Sequence, residues 1–467
     1  MRASVEQIVS STEGRVVRGD GAREVHGVST DTRSIDSEQL FIALEGPNFD
    51  GNEFALEACE SDPGALLLRD GHPSVPGMIE RLPEDAVVVL HPAPRTALGR
   101  LASWHRARLD VPVIGITGSC GKTTTKNVLV HLLGSSRRVV GSPNSFNNDI
   151  GVPHTLFLAD DSTEALVVEI GTNAPGEIAA LCRTARPTGA IITNVGAAHL
   201  EGLGSVEGVA SEKGDLAAKI EAGGFCVLNA NCPWTPTIAE RTQADVITFS
   251  VEGEGDLDAR DLYTHGAGTT FRLEGHEVTS PLVGAHNVEN LLAALAACRG
   301  MGLKLAEVLP AVSGVRSARG RMERIELEGL TLLDDSYNAN PESALASVRV
   351  LCGVHGHGRR VLVLGEMLEL GEHSDPAHKL IGAEAAARGV DLLVCVGELA
   401  RATAAGALEA GLSKECVLHF ETAEEVIAAS EELLLPDDVV LVKGSRRVGL
   451  ERLVRHLTDR HKSGGAS

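Results

Sequence analysis

The stretch VPVIGITGSCGKTTTK, Val111 to Lys126, decides how this chain is read. A β-branched run leads into a glycine-bearing loop, and a helix-compatible run, TTTKNVLVHLL, follows. Phosphate binding needs that order. The glycines let backbone N–H groups close on oxygen atoms, and the helix start adds its positive end. Gly118 and Gly121 fill the first role, Lys122 supplies a charge for the β- and γ-phosphates, and Thr123 offers a hydroxyl to Mg²⁺. The common pattern G-x-x-x-x-G-K-[ST] is not met, because Ile116 stands where its first glycine belongs. The competing reading is a glycine-rich turn carrying a surface lysine.

Outward from this loop, short apolar runs alternate with helix-compatible segments: RRVVG, ALVVEIG, GAIITNVG and FCVLNA, then RVLVLGEM, DLLVCVG and DVVLVKG. Such runs predict parallel sheets covered on both faces, with ligands at the carboxyl ends of the strands. The polar residues just past each run are therefore candidates. Glu169 is either a Mg²⁺ ligand or a cap or ion-pair partner. Asn194 and His199 follow another run, although Mg²⁺ prefers oxygen and a lone histidine is usually structural. Asp335 and Asn338, in LLDDSYNANPES, either grip a ribose or base or hold an Asx-rich turn before a helix near Pro341. Lys213 lies mid-helix in VEGVASEKGDLAAKI and reads plainly as a solvated lysine. Near the N-terminus, VSTDTRSID is either a capped turn or a nucleotide-diphosphate site with Arg33 as its cation.

The 467 residues suit two to four domains. Hydrophobic residues make up 43% and aromatics only 3%, so the cores are expected to be aliphatic. A net charge of −22 argues against general nucleic-acid or anionic-membrane binding, so anionic substrates need local cationic sites. Nine cysteines without a C-x-x-C read as reduced thiols in a cytoplasmic protein, not as disulfides or a zinc site. The N-terminus lacks a signal-peptide apolar core, and no run reaches the ~18–20 residues of a membrane span.

Three domains are expected: residues 1–93, a small α/β domain; 94–316, a parallel-sheet domain with the phosphate loop; and 317–467, a second strand–helix alternation. HPAPR (91–95) and SGVRSARGR (313–321) read as linkers. The glycine-rich stretch 251–278 reads as antiparallel hairpins, HNVENLLAALAACRGMG as a helix ending at Gly300, and the terminal HKSGGAS as disordered.

TGSCGKTT, VVEIG, AAHLEG, SEKGD, HNVEN and RGRME occur in the order found in the Mur ligases, and the resemblance covers nearly the whole chain. That family's loop, T-G-x-x-G-K-T-[ST], lacks the early glycine, which accounts for Ile116. The resemblance implies a uridine-binding N-terminal domain, a central ATPase domain and a Rossmann-like C-terminal domain. It implies ATP-dependent, ADP-forming peptide ligation in peptidoglycan synthesis. SPNSFNNDIGVPHTL, DDSYNANP and VLGEMLELGEHSDPAH resemble the member that joins D-alanyl-D-alanine to UDP-N-acetylmuramoyl-tripeptide. No D-N-P-R motif for a single amino acid is present, which disfavours a ligase of that kind. A P-loop kinase is the more distant alternative.

By position, the resemblance makes Gly118, Ser119, Cys120, Gly121, Lys122, Thr123 and Thr124 the triphosphate loop, with Asn290, Arg321, Asp335 and Asn338 also around ATP. It gives two Mg²⁺ ions to Thr123, Glu169, His199 and Lys213, and makes Lys213 a CO₂-carbamylated lysine, against the plain reading. Lys122, His199 and Lys213 form the implied catalytic group. Asp31, Thr32, Arg33, Asn147 and Asn148 match contacts to the UDP-linked substrate, while Glu366 and KGSRR (443–447) face the dipeptide and the cleft. A monomer without membrane insertion is expected. Cys120 stands where serine or asparagine is common, so its thiol is expected to make the loop sensitive to oxidants.

Overall fold

The structure, a computed structural model, describes residues 1–265, 268–354 and 358–464, with side chains as far as residue 460. Two compact units divide it. The first comprises Met1–Gly115, Ser136–Gly171 and Glu177–Gly189; the second comprises Ile116–Ser135, Thr172–Gly176 and the chain from Ala190 onward.

In the first unit strand Val139–Gly141 pairs parallel with Ala165–Glu169, and in the second strands Phe225–Asn229, Asp245–Val251, Leu257–His265, Gly268–Leu273 and His276–Ser280 lie side by side in that order. Strands Val113–Thr117 and Gly189–Ile192 belong in part to each unit. The last three strands pair antiparallel, as the glycine-rich stretch predicts, while residues 266–267 between them lie outside the described residues.

In the first unit, a five-stranded sheet (Arg15–Arg18, Val88–His91, Ala65–Arg69, Leu40–Ile42, Val28–Ser29) packs over an aliphatic core that includes Leu66, Leu68, Val88 and Leu90. The expected linker at 91–95 is largely structured. His91 closes a strand, and Pro94 opens helix Pro94–Ala107, where its missing N–H costs nothing.

In the second unit, helix Lys122–Gly134 packs on helix Ala285–Gly300, which also packs on strands Phe225–Asn229, Asp245–Val251 and Leu257–His265. The last region is a six-stranded sheet: Glu323–Leu327, Leu330–Asp335, Asp438–Lys443, Arg360–Gly365, Leu392–Val396, Val417–Phe420. Its first pair is antiparallel and the others are parallel. Successive residues feed opposite cores. Leu362, Leu364, Leu393 and Leu441 enter one, and Val361, Val363, Val394 and Val440 the other. Helix Glu451–Gly464 carries order into the terminal stretch expected to be disordered; residues 465–467 lie outside the described residues.

Candidate active site

Strand Val113–Thr117 runs into the loop, and helix Lys122–Gly134 begins at Lys122. Gly118 and Gly121 have φ of 150° and 83°. A Cβ on Gly118 would lie 1.8 Å from Thr193 Oγ1, and one on Gly121 would lie 2.1 Å from Asn290 Oδ1. Both positions thus demand glycine for conformation and for space. The residues after strand Gly189–Ile192 string the loop. Thr193 Oγ1 donates to Cys120 O at 2.5 Å, Cys120 N–H donates to Asn194 Oδ1 at 3.0 Å, and Ser119 Oγ donates to Gly196 O at 3.0 Å. Lys122 Nζ donates to Gly118 O at 2.6 Å, so its ammonium curls over the loop.

Several expected nucleotide residues join this frame. Asn290, buried in its helix, accepts from Thr125 Oγ1 at 3.3 Å and donates to Asn287 Oδ1 at 3.2 Å. Arg321 Nη2 donates to Thr123 Oγ1 at 3.3 Å while its guanidinium lies 4.1 Å from the Tyr337 ring centre. Asp335 accepts from Met322 N–H (3.1 Å), Ser347 Oγ (2.7 Å) and Lys443 Nζ (2.6 Å). Asn338 gives its backbone carbonyl to Lys443 Nζ at 3.0 Å and its side-chain oxygen to Ala339 N–H at 2.9 Å. Asp335 and Asn338 thus hold together the turn that precedes helix Pro341–Gly353.

Lys213 departs most from its plain reading as a solvated residue. It is 1% exposed, and helix Val206–Ala218 also buries Glu212, Gly214, Leu216 and Ala217. Burial, and then the charge of Lys122, hold its ammonium well below the usual lysine range. Glu212 beside it accepts from Gly176 N–H at 2.6 Å and Thr172 Oγ1 at 3.3 Å. His199 has φ 55°, and its Nδ1 lies 2.7 Å from Glu369 Oε2. The Cys120 thiol is pushed up by burial, which lowers its thiolate fraction and runs against the expected oxidant sensitivity.

The remaining candidates lie in the first unit. Glu169 ends strand Ala165–Glu169, is 1% exposed, and accepts from Asn147 Nδ2 at 3.0 Å. Asn148 Oδ1 accepts from the N–H groups of Ile150 (3.2 Å) and Gly151 (2.9 Å) where helix Gly151–Phe157 begins. Arg33 donates from Nε (2.8 Å) and Nη2 (2.6 Å) to Asp31, and Thr32 Oγ1 donates to Glu57 at 2.6 Å. Elsewhere in this unit Glu45, Asp50 and His72 converge closely enough for a metal ion. Asp50 and Glu45 already accept from Asn52, Glu45 pairs with Arg69, and His72 contacts Asp50 at 2.9 Å.

Sequence reasoning missed Asn340, Glu342 and Glu369. Asn340 caps helix Pro341–Gly353 and donates to Ser119 O at 3.3 Å. Glu342 accepts from Ala197 N–H at 2.5 Å. Glu369 meets His199, while Arg446, inside the expected stretch 443–447, lies 5.3 Å from the Tyr337 ring centre. Asn340-Pro341 carries a local signal, a cap before proline; the two glutamates carry none.

A glycine-restricted loop with its own lysine, close to a second, buried lysine, is the frame of a phosphate-binding site. The match to the Mur ligase middle domain at residues 116–298 and to the Mur ligase glutamate ligase domain at 320–446 fixes the class, and the chain belongs to the Mur ligase family. Within it, a Bacillus subtilis relative named UDP-N-acetylmuramoyl-tripeptide–D-alanyl-D-alanine ligase is 34% identical over 463 residues, covering 98% of this chain and 99% of its own. The crystal structure of MurF from Acinetobacter baumannii matches with a TM-score of 0.87 at 27% identity, covering 98% and 99% of the two chains. MurF from Thermotoga maritima in complex with ADP matches at 0.81 and 25%, covering 94% and 98%. The mixed α/β fold with parallel sheets is the three-domain fold of these ligases. Among the described residues no helix is long and apolar enough to cross a membrane.

Proposed function

We propose that the chain joins D-alanyl-D-alanine to UDP-N-acetylmuramoyl-tripeptide, converting ATP to ADP and phosphate, and completes the peptide of a peptidoglycan precursor in the cytoplasm. The observation that carries this reading is near-full-length similarity to a ligase named for that reaction, joined to a loop whose two glycines have no room for a side chain. In the reaction the tripeptide's terminal carboxylate attacks the γ-phosphorus and ADP leaves. The free amine of the dipeptide then attacks the resulting acyl phosphate, loses a proton, and expels inorganic phosphate as the amide forms. Positioning and charge neutralisation do most of this work.

Lys122, released from Gly118 O, is the cation for the β- and γ-phosphates, and the loop N–H groups from Gly118 to Thr124 cradle them. Asn290 and Arg321 serve the nucleotide directly; Asp335 and Asn338 serve it by shaping the turn behind Tyr337. We assign Mg²⁺ to Thr123, Glu169, His199 and Lys213. A hydroxyl and a buried carboxylate are the hard oxygen donors that Mg²⁺ takes. Lys213 fits through its carbamate: a lysine held below its usual range presents the neutral amine that adds CO₂, and the product is an oxygen anion. When bound, the two ions neutralise phosphate and carboxylate charge. Asp31, Thr32, Arg33, Asn147 and Asn148 are assigned to the UDP-linked substrate, and the domains to 1–93, 94–316 and 317–467.

Incubation with ATP, Mg²⁺, the UDP-linked tripeptide and the dipeptide tests the reading. Phosphate release that depends on D-alanyl-D-alanine supports it. Release driven equally by a single amino acid, or a stable phosphorylated product formed without an amine, overturns it.

A further inference from the structure

We propose that Glu369 is the positioning residue for His199: it holds the imidazole by Nδ1 and so leaves Nε2 as the nitrogen offered to a divalent cation. The proposal rests on the assignment of His199 to metal above. His199 Nδ1 and Glu369 Oε2 are 2.7 Å apart, and a carboxylate at that distance needs the ring proton on Nδ1. A carboxylate behind a histidine fixes its tautomer and orientation and makes the far nitrogen a better ligand.

Both partners are placed by their own surroundings. His199 takes a left-handed backbone, φ 55°, at the head of the short helix Leu200–Leu203, and its carbonyl accepts from Leu203 N–H at 2.9 Å. Glu369 is also left-handed, φ 64°, on a loop pinned just before it. Met367 N–H donates to Nε2 of the buried His378 at 3.0 Å, and Leu368 N–H donates to Ser445 Oγ at 3.0 Å. His378 is itself fixed by the Nδ1 contact to Ser374 O at 2.8 Å. A backbone bond from Glu201 N–H to Glu369 O, 3.4 Å, accompanies the side-chain contact. The Glu369 side chain is 57% exposed, so the pair is poorly built as a stability device. Two unusual backbone conformations converging on one exposed contact fit orientation better than cohesion.

The test uses the full-length protein, Mn²⁺ as the probe, and a non-hydrolysable ATP analogue, with bound Mn²⁺ read by electron paramagnetic resonance. Glu369→Ala is expected to weaken one of the two Mn²⁺ sites by about 10–100-fold. The other site and the melting temperature stay unchanged. Glu369→Asp or Glu369→Gln, which keep an acceptor, recover part of the loss. In turnover, the KM for Mg²⁺ rises while kcat at saturating Mg²⁺ is retained. Unchanged Mn²⁺ binding in Glu369→Ala, with or without a fall in melting temperature, overturns the proposal and marks an ion pair alone. His199→Ala is the control. If it keeps both Mn²⁺ sites, the metal assignment of His199 fails; if it loses one while Glu369→Ala loses none, only the positioning role fails.

Discussion

Two lysines of the second unit are almost equally buried and differ in everything else. Lys443, 2% exposed, ends a strand of the six-stranded sheet, where it donates to Asp335 at 2.6 Å and to Asn338 O at 3.0 Å. Lys213, 1% exposed, lies in helix Val206–Ala218 beside a second cation, Lys122, and burial holds it well below the usual lysine range. A buried cation with a carboxylate and a carbonyl in reach is architecture: its desolvation is offset where it stands. A buried cation facing another cation is under pressure to change its chemistry, by losing its proton or by becoming an anion.

Lys213 gives the largest effect that could break this contrast. Lys213→Ala is expected to abolish dipeptide-dependent phosphate release, with partial return on adding short carboxylates that stand in for the carbamate. Lys213→Met is expected to leave the melting temperature unchanged or raised, because it removes a poorly solvated amine and keeps most of the volume. Wild-type turnover in either variant sinks the carbamate assignment; a large fall in melting temperature makes Lys213 structural after all.

The loop comes next. Gly118→Ala places a Cβ 1.8 Å from Thr193 Oγ1 and strains a φ of 150°. Binding of ADP, measured by calorimetry, is expected to be lost while the secondary structure read by circular dichroism is unchanged. Normal ADP affinity in this variant denies the loop its role.

This loop was legible in the sequence because its determinants are local: a β-branched run, two glycines, a lysine, then helix-forming residues. The sheets were legible for the same reason, since runs such as RVLVLG read as strands buried on both faces. The burial of Lys213 was not legible, because helix Val206–Ala218 buries Glu212 and Lys213 together with Leu216 and Ala217, and packs Gly214 tightly against Arg241. No amphipathic pattern announces that, and the resemblance to a family marked Lys213 as a carbamylated metal ligand without implying its burial. Nor did local sequence point to Glu369, whose partner stands 170 residues away. Asp335 was legible as a polar residue at a strand end but not in its task, because Lys443, 108 residues on, is what claims it.

The paired lysine gives a middle-sized effect, on stability. Lys443→Met leaves the Asp335 carboxylate buried without its cation and is expected to cost about 3–5 kcal/mol in urea unfolding. Replacing both, Lys443→Met with Asp335→Leu, is expected to recover most of that loss. If the single variant unfolds like the wild type, the pair is not the strut that its 2.6 Å contact indicates.

The smallest effect separates pairing from burial. Asp31 and Arg33 are bonded as closely as Lys443 and Asp335, at 2.6 Å, but Arg33 is 84% exposed. The Arg33 guanidinium, with its backbone N–H, still draws the Asp31 carboxyl down from 3.8 to about 2. Because the folded value lies below the unfolded one, the folded protein binds fewer protons across that interval. The contribution is therefore complete above about pH 4 and is lost as pH falls through about 2. Water and salt screen an exposed pair, so the unfolding midpoint at neutral pH should hardly move in Arg33→Ala. NMR titration of Asp31 in that variant is expected to move the carboxyl up toward 3.8, without reaching it while the backbone N–H at position 33 still donates. If Arg33 also meets the diphosphate of the UDP-linked substrate, it must release Asp31 first. Arg33→Ala should then raise the KM for that substrate and leave the KM for ATP alone. Equal shifts in both, or in neither, remove Arg33 from the substrate site and leave it as the cap of its own turn.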